Sequence, residues 1–215
     1  MIAPAVKSLG EARLYAIVDL GYVAAAEAEK VTAKLLQGGA DLIQLRGKNR
    51  SREELADLTI RLHRLTRESG VPLIINDHAE IARDLRVEGL HLGQEDLPIA
   101  AARDIVRRDC WIGKSTHSLA QATAAVEEGA DYIGFGPLFA TPTKPLYSPI
   151  GTGEIGRVHD LVKLPVFCIG GIKLENLRKV LQAGATRVVI VSGLLQSADV
   201  SAATREAKAL LPSLN

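Results

Sequence analysis

Residues 166–193 read VFCIGGIKLENLRKVLQAGATRVVIVSG, and this stretch decides the fold. A short apolar run turns at a glycine pair, a helical stretch follows and stops at Gly184-Ala185-Thr186, and a second apolar run begins. That is one strand, one crossover helix and the start of the next strand. The same unit recurs along the whole chain. Apolar runs occupy residues 14–19, 42–46, 73–77, 89–93, 111–117, 132–136, 166–172 and 187–193, about 27 residues apart, which is the length of a strand plus its return helix. Most are continuously apolar rather than alternating (LIIND, VVIVSG), as in parallel strands buried on both faces.

The intervening segments carry helix punctuation. Ser51-Arg52-Glu53-Glu54 is a capping box ahead of Leu55, Leu58 and Leu62. Gly39-Ala40-Asp41, Gly129-Ala130-Asp131 and Gly184-Ala185-Thr186 are three copies of one stop signal, with glycine free to take the left-handed closing conformation. Eight such units predict a parallel eight-stranded (β/α)8 TIM barrel, in one domain spanning residues 1–215. The lesser alternative is a doubly wound open sheet. It lacks its phosphate turn, because Asp19-Leu20-Gly21-Tyr22 follows the first run where GxGxxG would stand.

The chain has 215 residues, 26 Lys plus Arg against 25 Asp plus Glu, and a net charge of +1. That balance argues against a nucleic-acid binder working through general basicity. Only 4% of residues are aromatic, so the expected core is aliphatic. Cys110 and Cys168 form no CxxC and read as small buried hydrophobes, and neither a disulfide framework nor a zinc motif is present. No apolar run reaches the roughly 18–20 residues of a membrane span, and the first residues lack a secretion signal. A cytoplasmic protein without membrane or nucleic-acid partners is expected. The sequence carries no signal for oligomeric state.

In such a barrel the chemistry sits at the C-terminal strand ends. Gln44-Leu45-Arg46-Gly47-Lys48 closes the second run, and alternation puts Gln44, Arg46 and Lys48 on one side, suited to a polyanionic phosphate. Asn76-Asp77 and Gly93-Gln94-Glu95-Asp96 bring a carboxylate each to one rim, where Mg²⁺ could join them to phosphate oxygens. Helix capping is the plainer use of either aspartate. In Gly113-Lys114-Ser115-Thr116-His117-Ser118, Ser115 reads as a hydrogen-bond donor to substrate, and Ser118 as a cap for the helix from Leu119. The segment 137–153 is the longest irregular stretch, a binding loop carrying Thr141, Thr143 and Lys144. Gly170-Gly171 and Val191-Ser192-Gly193 lie at the ends of runs seven and eight, after which barrels often hold a phosphate on backbone amides. His63, among arginines, reads as a solvated helix face, His91 as a structural strand residue, and Trp111 as packing.

Together the segments LYAIVD (14–19), QLRGK (44–48), Asn76-Asp77, HLGQED (91–96), GPLFATPTK (136–144), IGGI (169–172) and VSG (191–193) resemble the thiamine-phosphate synthase family, in its order, across residues 13–193. The resemblance implies a transferase on a small (β/α)8 barrel. It would couple a hydroxymethylpyrimidine diphosphate to a thiazole phosphate, or to its carboxylated form, releasing diphosphate. It assigns Gln44, Arg46, Lys48, Asn76, Ser115 and Lys144 to the pyrimidine diphosphate, within a 44–48 segment that includes Leu45 and Gly47. Arg46, Ser115 and Lys144 would be catalytic, and Asp77 and Asp96 would hold Mg²⁺. Thr141, Thr143, Gly171, Val191 and Ser192 would receive the thiazole phosphate. Gly47 stands where members commonly carry Glu, and Pro145-Leu146-Tyr147 where many continue with Lys-Asp. The segments around Ser115 and Gly134 are also similar to the related thiazole tautomerase, an isomerase in which His117 would move the proton. A catalytically silent barrel that binds a phosphorylated ligand is the third reading.

Overall fold

The computed structural model describes residues 6–141 and 148–214. Eight parallel strands close into a barrel in sequence order: β1 (Leu14–Asp19), β2 (Leu42–Arg46), β3 (Leu73–Asn76), β4 (Gly89–Leu92), β5 (Trp111–Thr116), β6 (Tyr132–Phe135), β7 (Val166–Cys168) and β8 (Val188–Ile190). Each is followed by a helix: α1 (Ala28–Gln37), α2 (Arg52–Glu68), α3 (Ala79–Asp84), α4 (Ile99–Ile105), α5 (Leu119–Glu127), α6 (Ile155–Leu161) and α7 (Leu174–Gln182), with the short α8 (Ser192–Leu195) preceding α9 (Val200–Leu210) after β8. The expected (β/α)8 barrel is the fold observed.

The punctuation works as its chemistry requires. Ser51 caps α2 with a reciprocal bond to Glu54, and the Ser118 side chain accepts from the Gln121 N–H at the start of α5. Gly39, Gly129 and Gly184 all have positive φ behind their helices. Several strands stop earlier than the apolar runs suggested. β7 ends at Cys168 because Gly170 (φ 99°) and Gly171 (φ 64°) turn left-handed, and β8 ends at Ile190 because Ser192 and Gly193 already belong to α8.

Alternation sorts the strand residues into two cores. Ala16, Val18, Ile43, Leu45, Ile75, Leu90, Ile133 and Val188 face the helices in an aliphatic layer. Tyr15, Ile17, Leu42, Ile74, Tyr132, Phe167 and Val189 fill the barrel, with Leu9 and Ala12 beneath them. The interior therefore departs from the all-aliphatic expectation. Tyr15, Tyr132 and Phe167 meet edge to face with centroids 5.5–6.1 Å apart, a geometry worth about 0.5–1.5 kcal/mol per pair beyond burial. Gly113 makes this possible, since a Cβ there would lie 2.1 Å from the Tyr132 ring.

His63 is also corrected. It is 8% exposed and bonds Glu88 at 3.1 Å, so it faces inward from α2 rather than towards solvent. The other carboxylate oxygen of Glu88 accepts the Leu73 N–H.

Asp41, 2% exposed, ties the end of the barrel opposite the strand C-termini. It accepts from Lys7 (2.7 Å), Lys208 and the backbone N–H groups of Arg13 and Leu14. Burial would raise its carboxyl pKa, but the bonds from Lys208, Lys7, Leu14 and Arg13 outweigh that and hold it below the usual value. The Asp41 contribution is therefore fully present above the unfolded carboxyl pKa and lost as pH falls through the lower native one. Asp41→Ala is expected to cost about 2–4 kcal/mol, by stranding buried donors. Urea unfolding at neutral pH checks it; an unchanged midpoint would show the clasp to be idle.

Candidate active site

One cavity of about 850 Å³, its solvent-filled mouth included, opens at the C-terminal ends of the strands. Gln44, Arg46 and Lys48 all line it from β2 and its extension, as their alternation required. Asn76, Asp77, Asp96 and Ser115 line it from the neighbouring strand ends, and Thr141, Gly171, Val191 and Ser192 from the loops after β6, β7 and β8. Thr143 and Lys144 lie outside the described residues. Leu45 and Gly47 do not line the cavity. Leu45 alternates outward and is wholly buried against the helices. Gly47 is a packing point, where a Cβ would stand 2.8 Å from Leu55 and 2.9 Å from Leu20.

Asp77 adopts φ 67°, rare for a residue with a side chain. Its N–H donates to the His91 carbonyl at 3.0 Å, and the cap of α3 is His78, without a side-chain bond. Asp77 is therefore not a helix cap. Neither is Asp96, whose carboxylate accepts the Gly93 N–H at 2.7 Å, while α4 begins after Pro98. The turn instead brings the two carboxyls together. Burial, then the hydrogen bond to Asp96 and its charge, push Asp77 up to about 7 against the pull of Lys48 and Arg46. Asp96 stays below the ordinary value: burial opposes ionisation, but the Asp77 carboxyl, the Gly93 N–H, Lys48 and Lys114 favour it. Two acids this close, lining one cavity with Arg46 and Lys48, are oxygen donors of the kind a divalent cation takes. Lys114 supports this rim, its ammonium donating to the Gly93 carbonyl at 2.8 Å.

Two polar side chains of the cavity escaped the sequence reading. Asp19 ends β1 on the inward face and pairs with Arg46 at 2.6 Å, while its other oxygen accepts the Gly21 N–H. Its parity with Ile17 and Tyr15 was the available signal. His91 reaches the cavity too, with Nε2 2.9 Å from Ser115 Oγ and Nδ1 3.2 Å from the Tyr132 hydroxyl. Only the β4–β5 register, which sets His91 beside Gly113, brings it next to Ser115.

Across the mouth the character changes. Gly171 could not carry a side chain, since a Cβ would meet the Ala140 carbonyl and Phe139 at 2.7 Å. Its carbonyl is pinned by Asn176 Nδ2 at 2.9 Å. Beside it α8 starts at Ser192, and its first N–H groups have no partner within the helix. The cavity thus has a charged side, an apolar floor of Ile17, Ile169 and Val189, and a side formed by Gly170, Gly171, Val191 and Ser192.

A sequence model of the family described as thiamine monophosphate synthase matches residues 14–194, a span that contains every lining residue. The chain belongs to that family. It is 38% identical over 200 residues to the thiamine-phosphate synthase of Chloroflexus aurantiacus, covering 93% of this chain and 92% of that one. It is 41% identical over 189 residues to the thiamine-phosphate synthase of Halalkalibacterium halodurans, covering 87% and 90%. Among solved structures, thiamine phosphate pyrophosphorylase from Pyrococcus furiosus superposes with a TM-score of 0.86 at 33% identity, covering 94% of this chain and 96% of that one. A 3-hexulose-6-phosphate synthase, at 16% identity and TM-score 0.74, shares the fold alone. These relatives do not favour the isomerase or the silent-barrel reading.

Proposed function

We propose that the protein is a thiamine-phosphate synthase, a transferase joining 4-amino-2-methyl-5-(diphosphooxymethyl)pyrimidine to 4-methyl-5-(2-phosphooxyethyl)thiazole, or its carboxylated form, with release of diphosphate. The observation that carries this reading is one cavity lined by Arg46 and Lys48 on one side and by Gly171, Val191 and Ser192 on another, with Ile17, Ile169 and Val189 between them. Arg46 and Lys48 take the diphosphate at the charged end. Gln44, Asn76 and Ser115 address the pyrimidine above Ile17 and Val189. Gly171, Val191 and Ser192, with Thr141 and Thr143, take the thiazole phosphate on amides and hydroxyls. Lys144 adds a further charge on the diphosphate.

The bond from the pyrimidine methylene carbon to the diphosphate oxygen breaks, its electrons leave with diphosphate, and the thiazole nitrogen forms the new C–N bond. The amino group of the ring feeds electrons to the methylene cation, so cleavage precedes attack. No covalent nucleophile and no strong base are required. Arg46 and Lys48, which line the cavity, would with Lys144 oppose the charge that grows on the leaving group. Asp77 and Asp96 would hold Mg²⁺, which when bound supplies electrostatic stabilisation of the diphosphate. Holding both rings in register removes the entropy of their encounter.

Asp19 positions Arg46. Asp19→Asn is expected to lower kcat/KM for the pyrimidine diphosphate about 10–100-fold, the worth of one charge-assisted bond. An unaltered kcat/KM would show that Arg46 holds its place unaided. The reading as a whole is tested by incubating the purified protein with both phosphorylated halves and Mg²⁺ and weighing the product. Thiamine phosphate plus equimolar diphosphate is expected; their absence with both substrates present overturns the assignment.

A further inference from the structure

Beneath the cavity a chain of hydrogen bonds crosses the barrel interior from β2 to β5. The Gln44 amide nitrogen donates to the Tyr15 hydroxyl at 2.5 Å, Tyr15 and Tyr132 share a hydroxyl–hydroxyl bond of 3.2 Å, the Tyr132 hydroxyl lies 3.2 Å from His91 Nδ1, and His91 Nε2 lies 2.9 Å from Ser115 Oγ. Gln44 and Ser115, its two ends, both line the cavity. We propose that this chain sets the Ser115 hydroxyl as a donor into the cavity, and so makes Tyr15, Tyr132 and His91 positioning residues that select a 4-amino over a 4-oxo pyrimidine. The inference rests on the pyrimidine reading above and deepens it.

The argument is one of counting protons. Each phenol has a single O–H, and burial raises both tyrosines far above their ordinary pKa, so both remain neutral donors. Because Gln44 donates to Tyr15, the Tyr15 proton must go on to Tyr132, and the Tyr132 proton to His91 Nδ1. A neutral imidazole accepting at Nδ1 carries its proton on Nε2, which donates to Ser115 Oγ. Ser115 is then left with its own O–H to give to the cavity, and Gln44 with its carbonyl and its second amide N–H. A 4-aminopyrimidine is the complement: its amino group donates to a carbonyl, and its ring nitrogen accepts from a hydroxyl. A 4-oxo ring has in place of the amine a carbonyl that the second Gln44 N–H can meet. The proton on its adjacent nitrogen, however, sets N–H against the Ser115 O–H, so it needs the opposite sense at that end. Reversing one link alone sets two donors or two acceptors against each other in a buried space. The whole chain must therefore reverse together or not at all.

The test compares kcat/KM for 4-amino and 4-oxo forms of the pyrimidine diphosphate in the unsubstituted protein, Tyr15→Phe and Tyr132→Phe. Each substitution removes one hydroxyl and keeps the ring. A merely structural role would slow both substrates alike, whereas the proposal expects the amino-to-oxo ratio to fall by about tenfold or more, as Gln44 and Ser115 become free to turn. The ratio also cancels the lower intrinsic reactivity of the oxo ring. An unchanged ratio in either folded variant, with amino-pyrimidine turnover retained, overturns the inference and leaves the function standing. No product from either pyrimidine in the unsubstituted protein overturns the function and the inference with it. Should both variants fail to fold, the ¹⁵N shifts of the His91 ring in the unsubstituted protein decide. Protonation on Nε2 alone supports the chain; a proton on Nδ1, or on both nitrogens, overturns it.

Discussion

Replacing Lys144 with alanine is expected to lower kcat by about 10²–10³ while the melting temperature holds, the usual loss when one preorganised charge contact to a developing anion is removed. In the proposed displacement the barrier is the separation of a cationic pyrimidine from an anionic diphosphate. Any fixed positive charge on the diphosphate side therefore acts mainly on the transition state. The loss should appear in kcat and kcat/KM together rather than as a rise in KM. Lys144→Arg should recover only part of the rate, because a planar fork keeps the charge but not the compact ammonium geometry. Steady-state kinetics with both substrates saturating make the measurement. If kcat for Lys144→Ala stays within about twofold of the parent, Lys144 has no part in the chemistry and the charge must be met by Arg46 and Lys48 alone.

The barrel was legible because a strand–helix–strand unit repeats its chemistry eight times, and the glycine stops and serine caps that punctuate it act through local backbone geometry. Gln44, Arg46 and Lys48 were legible for a similar reason: period-two alternation settles which side of a strand a residue faces. The same rule excludes Leu45, which stands one place out of phase. What the sequence did not display depends on lateral register. Ser115 and His91 are far apart in the chain and lie on adjacent strands, and their bond exists only because Leu92 pairs with Lys114 and His91 with Gly113. His63 misled because arginines flank it on a helix, while its actual partner, Glu88, comes from the turn before another strand. Asp77 was legible as a rim carboxylate, but the turn that sets it against Asp96 was not. A left-handed aspartate is invisible in sequence, yet it is what aims one carboxyl at another.

That crowding makes a prediction with opposite signs for stability and activity. Asp77→Asn keeps a residue that tolerates the left-handed turn and removes one of two carboxyls that repel each other. Unfolding stability should therefore hold or rise, by up to about 1 kcal/mol. The requirement for Mg²⁺ should rise by more than the roughly 10–100-fold that the loss of an outer partner costs a metal site, since a direct ligand is lost. Asp96→Ala should raise the Mg²⁺ requirement similarly, but with a stability cost, because the Asp96 carboxylate also holds the Gly93 N–H. The two variants thus separate a residue whose placement is paid for by function from one that also supports its loop. Mg²⁺ titrations of activity, calorimetric Mg²⁺ binding and urea unfolding on the same samples give the three readings. If both variants respond to Mg²⁺ as the parent does, or the parent works equally well in excess chelator, the aspartate pair is not a metal site and its strain needs another cause.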